Sequence, residues 1–148
     1  MNQLDIADRT WPVLSKLMGG HARIYRLTRG KIGHHMPGVP PMCLIDHVGA
    51  KSGKKRTSPL LYIEDGDDIV IVASKGGYER SPAWFYNLKA NPDTTVQIGP
   101  EIRAVHARVA DEAERARLWP MAVEVYPSYE QYQARTERTI PIVILSPR

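Results

Sequence analysis

Residues 43–73 read CLIDHVGAKSGKKRTSPLLYIEDGDDIVIVA, and the order of residue types in this stretch decides the fold class. Cys43 to Val48 is apolar and β-branched, as a strand requires. Gly49 to Lys55 gathers glycine and lysine into a turn, and Arg56 to Ile63 pairs back as the second arm of a hairpin. Proline cannot donate to a ladder, so Pro59 assigns that arm to an edge or a bulge. Glu64-Asp65-Gly66-Asp67 centres on Asp-Gly and predicts a second hairpin turn. Asp68 to Ala73 then carries Ile69, Val70, Ile71 and Val72 in succession, the pattern of a strand buried on both faces.

Working outward, Ser81-Pro82 opens a short helix through Ala90 that Asn91-Pro92 ends. Thr95 to Ile98 and Ile102 to Val109 read as a further hairpin. Asp111 and Glu114 have the spacing of a capping box, and the helix they open runs to about Val125 with Leu118, Trp119, Met121, Ala122 and Val125 inward. Ser128 and Gln131 suggest a second box, and Ile140 to Leu145 is a β-branched final strand. Upstream, Thr10 caps a helix that the Gly19-Gly20 pair weakens. His21 to Leu27 resumes it, with Ile24, Tyr25 and Leu27 inward and Arg23, Arg26 and Arg29 outward. Residues 36–41, with three prolines and a glycine, are an irregular lead-in.

Six strands at hairpin spacing, interrupted by helices of about ten residues, do not match the alternation of a doubly wound sheet. They predict a mainly β chain, a small antiparallel barrel with flanking helices and ligand grooves at its rim. A length of 148 residues fits one domain over 1–148, with an N-terminal helical segment over 1–35 and the barrel over 42–148.

Hydrophobic residues at 43% and charged residues at 24% argue against a disordered or fibrous chain. No apolar run reaches the ~18 residues of a membrane span, and the first thirty residues lack a secretory core, so a cytoplasmic location is expected. Cys43 is the only cysteine, which excludes an internal disulfide and a thiolate-rich metal centre. His34 and His35 are adjacent and His21, His47 and His106 are scattered, so no metal site is expected. Ser74 lacks the Gly-x-Ser-x-Gly setting of a hydrolase nucleophile.

The net charge of +4 is unevenly placed. Between Arg9 and Ile63 ten Lys or Arg face one acid, Asp46, whereas from Glu64 onward ten bases face thirteen acids. The first half is therefore a candidate anion-binding surface, for which nucleic acid, an anionic membrane and a small polyanion all qualify.

Four groups of residues have chemistry to offer. Gly49 to Arg56 packs four cations and two glycines into a turn, but Gly53-Lys54 is followed by Lys55 and a strand, unlike a P-loop. A solvated charged tip is the plainer reading. Ala73-Ser74-Lys75-Gly76-Gly77 ends the most buried strand and presents a hydroxyl, an amine and unhindered amides, or is simply a glycine turn. Trp84-Phe85-Tyr86 precedes Asn87 in a short helix, where aromatics usually serve the core. Tyr126, Tyr129 and Tyr132 recur every three residues and line one side of a helix, as a pocket wall or as packing.

In this order the blocks Gly49 to Arg56 with Pro59, Ala73 to Gly77, Pro82-Ala83-Trp84-Phe85-Tyr86-Asn87-Leu88-Lys89-Ala90-Asn91-Pro92, Tyr126-Pro127-Ser128-Tyr129-Glu130-Gln131-Tyr132 and Arg138-Thr139-Ile140-Pro141 resemble the deazaflavin-dependent nitroreductase family. The resemblance implies a split β-barrel that binds coenzyme F420, an 8-hydroxy-5-deazaflavin. It also implies an oxidoreductase passing a hydride to quinones, nitroaromatics or activated double bonds. This coenzyme is a polyanion, with a phosphodiester, an oligoglutamate tail and a flat head, which suits a basic groove leading to an aromatic pocket.

By the same resemblance Lys51, Ser52 and Arg56 hold the phosphate and tail, with Lys54 and Lys55 adding field. Ser58, Pro59, Ala73, Ser74, Lys75, Gly76 and Gly77 line the ring, and Trp84 and Asn87 close the pocket from the helix. Tyr126, Tyr129 and Tyr132 form the substrate side, with Ser74, Tyr129 and Tyr132 as candidate catalytic groups that deliver a proton. Leu61, after Pro59-Leu60, stands where relatives tend to carry an aromatic ring.

A split barrel using FMN is the nearest rival, and a nucleic-acid-binding barrel is a rival of another class. The aromatics lie mainly in the acidic half, against nucleic acid, so a small-molecule acceptor is the expected partner. The N-terminal basic segment is either a cover for the barrel or a contact with an anionic membrane.

Overall fold

The structure is a computed structural model and describes residues 20–31, 34 and 40–148. The helix expected after Thr10 lies outside the described residues. Among the described residues seven strands form one antiparallel sheet: β1 (Met42–Val48), β2 (Lys55–Leu61), β3 (Ile63–Asp65), β4 (Asp68–Val72), β5 (Asp93–Ile98), β6 (Glu101–Val109) and β7 (Ile142–Pro147). The helices are α1 (residues 20–27), α2 (Ala83–Ala90), α3 (Glu112–Val125) and α4 (Ser128–Arg135).

The strand order is β2-β1-β5-β6-β7-β4-β3. The hairpin arm expected to run unbroken to Ile63 instead divides at Tyr62 into β2 and β3, which lie at opposite ends of the sheet. A strand that changes sheet position within one residue curls the sheet on itself, and this is why seven strands appear rather than six. Pro59 sits in an end strand whose single ladder partner is β1, as a residue without an N–H requires.

The alternation of side chains in β1 sorts two sides. Cys43 and Ile45 join Ile69, Ile71, Val96 and Leu145 in the barrel interior, together with Trp84, Phe85 and Leu88 of α2. Complete burial pushes the Cys43 thiol up to about 12, so it is inert packing. The unbroken apolar run of β4 is indeed buried on both sides, because Val70 and Val72 pack with Ile142 and Ile144 against α3 and α4.

On the outer side of β1, Leu44 meets Ala22 and Tyr25 of α1. The Tyr25 hydroxyl accepts from Gly99 N at 2.7 Å and lies 3.0 Å from the Met42 carbonyl, to which it donates. Asp46 accepts from Thr57 at 2.7 Å, Thr95 at 2.8 Å and Arg26 at 3.0 Å, which latches α1 to the barrel. Ala22 and Tyr25 are thus the inward residues. Ile24 and Leu27, expected inward, are 47% and 85% exposed, since a three-residue step from Ala22 reaches Tyr25 and leaves its neighbours outside.

Asp111 and Glu114 form both halves of the predicted capping box. Val125, expected inward, is exposed at the end of α3. The second box does not form: Pro127 is the N-cap of α4 and Ser128 its first helical residue, without a side-chain cap. The last strand begins at Ile142 rather than Ile140, because Pro141 has no N–H to pair.

Candidate active site

The basic turn is built by its own backbone. Gly49 N donates to Lys54 O and Gly53 N to Gly49 O, both at 2.9 Å, and Ser52 Oγ accepts from Lys54 N at 3.2 Å. Lys51, Ser52, Lys54, Lys55 and Arg56 are all exposed. None of these four cations has an ion-pair partner among the described residues, whereas Arg26, Arg103, Arg108 and Arg117 each pair with a carboxylate. The turn therefore keeps a positive field, and its donor set fits the polyanionic coenzyme that the resemblance implies.

Helix α2 clamps this turn. Ala50 N donates to Asn87 Oδ1 at 2.9 Å, Asn87 Nδ2 lies 3.0 Å from His47 Nδ1, and His47 Nε2 lies 2.9 Å from Ser58 Oγ. Burial and the nearby Arg56 charge push His47 down to about 4, against the opposing pull of Asp46, so the ring is neutral. Asn87 thus holds the hairpin in place, and Trp84 packs in the interior with Ala73 at 5% exposure.

The segment after β4 adopts left-handed backbone at three successive positions, with φ of 44° at Lys75, 62° at Gly76 and 81° at Gly77. Ser74 before them is right-handed, and such a reversal turns successive N–H groups toward one side. Arg138 fixes the segment by donating to Tyr78 O at 2.7 Å, Ser74 O at 2.9 Å, Ser81 Oγ at 3.2 Å and Ala73 O at 3.3 Å. Burial lowers the Arg138 pKa from its ordinary value.

The three tyrosines converge. The Tyr126 and Tyr132 hydroxyls are 3.2 Å apart, and the Tyr129 ring packs edge-on to Tyr126 at 5.0 Å and against Trp119 at 6.4 Å. Leu61 packs on the same larger apolar cluster, which holds Tyr129 buried and Tyr126 and Tyr132 partly buried. Burial pushes Tyr132 up to about 12 and raises Tyr129 well above the usual phenol value, so both hold their protons at neutral pH. Gly77 meets the backbone of Tyr132, which joins this cluster to the segment after β4.

Two residues that position the site escaped sequence reasoning. His47 was one of the scattered histidines, and only its fold neighbours Asn87 and Ser58 give it a role. Arg138 lies in a recognised block, but nothing local signals its four acceptors. Among the described residues no cluster of His, Cys, Asp and Glu could hold a metal. A cleft of about 230 Å³ between α2 and β6, lined by Phe85, Leu88 and Val143 among others, contains none of the predicted site residues.

The architecture is a split barrel with flanking helices, and solved structures share it. One described as an F420-H2 dependent reductase has a TM-score of 0.67 at 44% identity and covers 72% of this chain and 94% of its own. Another, described as a domain-swapped dimer, has a TM-score of 0.68 at 35% identity and covers 95% of this chain and 98% of its own. The family model F420H(2)-dependent quinone reductase matches residues 17–147. An F420H(2)-dependent quinone reductase of Mycobacterium tuberculosis is 46% identical over 136 residues, 90% of this chain and 91% of that protein. The chain belongs to the F420H(2)-dependent quinone reductase family, whose cofactor is coenzyme F420.

Proposed function

We propose that the protein reduces a quinone with reduced coenzyme F420, and that nitroaromatics and activated double bonds are further acceptors of the same site. The observation that carries the reading is the set of four cations, without an ion-pair partner among the described residues, on a turn clamped to α2 by Asn87. Lys51, Ser52, Lys54, Lys55 and Arg56 bind the anionic tail. Ser58, Pro59, Ala73, Ser74, Lys75, Gly76 and Gly77 surround the flat head, with Trp84 and Asn87 supporting them from α2.

The bound coenzyme supplies the hydride. The protein's task is then to orient the acceptor, exclude water and provide the accompanying proton. Leu61, Tyr126, Tyr129 and Tyr132 make the acceptor wall, and Tyr132 is the proton donor we favour. Its phenol is protonated at neutral pH, and its contact with the Tyr126 hydroxyl at 3.2 Å gives it a second phenol from which to be replenished. Tyr129 and Ser74 are the remaining donors.

Helix α1 exposes Ile24 and Leu27 beside Arg23, and we assign that face to contact with an anionic membrane. No helix among the described residues is long and apolar enough to cross one. Sedimentation with anionic and neutral vesicles tests the contact, which requires retention on the anionic ones alone.

The function is tested by mixing the protein with reduced coenzyme F420 and menadione and following reoxidation of the coenzyme. Catalysed reoxidation is expected. Absence of coenzyme binding, with salt-sensitive binding to single-stranded DNA instead, would replace this reading by the nucleic-acid one.

A further inference from the structure

The contacts from the hairpin turn to β2 have a direction that follows from elementary donor and acceptor chemistry. A peptide N–H can only donate, so the atom of Asn87 facing Ala50 N at 2.9 Å is the amide oxygen. The other arm of that side chain is then the NH2 group, which also can only donate, and it faces His47 Nδ1 at 3.0 Å. Nδ1 must offer its lone pair, which leaves the proton of the neutral ring on Nε2. Nε2–H therefore donates to Ser58 Oγ, 2.9 Å away. The opposite arrangement would set the Asn87 NH2 against the Ala50 N–H, two donors face to face inside a region where His47 is 4% and Asn87 7% exposed.

With Oγ accepting from His47, the hydrogen of the Ser58 hydroxyl turns away from the ring. No acceptor for it is present among the described residues, and Ser58 is only half buried, on the strand that leaves the basic turn. We propose that Ala50, Asn87 and His47 form a relay of fixed polarity that makes Ser58 an obligatory hydrogen-bond donor to the coenzyme, so that the atom bound there is an acceptor, a ring carbonyl or a phosphate oxygen. His47 is a positioning residue in this scheme and touches no ligand. The proposal rests on the coenzyme reading above and adds a residue and a polarity to it. It also ties the two parts of the site together, because the peptide that starts the relay lies in the turn that holds the anionic tail.

The first test is made on the unliganded wild-type protein by long-range 1H–15N correlation of the imidazole nitrogens. His47 is expected to show a protonated Nε2 and a bare Nδ1 from pH 8 to 5. A proton on Nδ1, or an imidazolium at pH 6, overturns the relay. The second test titrates oxidised coenzyme F420 by fluorescence. Ser58→Ala is expected to weaken binding about tenfold, and Ser58→Thr, which keeps the hydroxyl, to stay within about threefold of wild type. If wild type and Ser58→Ala bind equally well, the donor role is wrong and the coenzyme reading stands. If wild type does not bind the coenzyme, both fall.

Discussion

Gly77 faces Tyr132 so closely that a Cβ on the glycine would lie 2.5 Å from the Tyr132 carbonyl oxygen. The segment that carries Ser74 and the helix that carries Tyr129 and Tyr132 are therefore in backbone contact, and only glycine permits the approach.

The pair Gly77→Ala and Gly76→Ala separates that contact from backbone strain. Both glycines have positive φ, 81° and 62°, but nothing lies within 4 Å of a Cβ at Gly76. Gly76→Ala is expected to cost about 1 kcal/mol in urea unfolding, and Gly77→Ala about 2 to 4 kcal/mol with weakened coenzyme binding. Equal losses would show that the Tyr132 contact carries no energy.

Arg138→Met removes five donors while leaving the Tyr78, Ser74 and Ala73 carbonyls in place. A loss of about 2 to 4 kcal/mol of stability is expected. Arg138→Lys should recover only part of it, since one ammonium cannot span the acceptors. Full recovery of both stability and coenzyme affinity by lysine would refute the clamp.

Two windows of acid sensitivity are expected. The unfolded chain protonates His47 below its ordinary 6.5, whereas the folded chain resists until about 4, so stability falls as pH drops through that interval. His47→Gln should remove this slope. Glu114 is held down at about 2, first by its hydrogen bonds to Arg108 and then by the Asp111 amide. Its stabilisation is complete above its ordinary 4.5 and disappears as pH falls toward 2. The difference in Tm between wild type and Glu114→Gln should close over that lower interval.

Tyr132→Phe is expected to lower kcat for menadione at least about tenfold with little change in KM, as removal of a proton donor predicts. Tyr129→Phe should affect it less, because that residue is 7% exposed and packed on Trp119. If neither replacement changes turnover, the proton comes from Ser74 or from water.

The strands were legible because their signals are local: the Asp-Gly turn at residue 66, the β-branched run from Ile69 and the proline at 59 each act within a few residues. The division at Tyr62 was not, since nothing in Leu61-Tyr62-Ile63 distinguishes a straight strand from one that changes its place in the sheet. The inward face of α1 is hidden in the sequence for a related reason. Ile24 and Leu27 are as apolar as any core residue, and only the Tyr25 hydroxyl, anchored to Gly99 and Met42, decides which side is down. In the site, the cationic turn and the tyrosine wall could be read from residue types. His47 and Arg138 act through partners 40 and up to 65 positions away, and such pairings exist only once the sheet has formed.

The junction at Tyr62 also bears on how the protein behaves in a crowd. A sheet with open ends offers unsatisfied peptide groups to any passing strand, and many chains polymerise that way. Here the two terminal strands are consecutive in the chain, so neither end can drift off to recruit a stranger without dragging the other. One end carries Pro59 and a tuft of like charges, and the other is three residues long. Substitutions at Tyr62 that loosen this junction should therefore be screened for precipitation as closely as for activity.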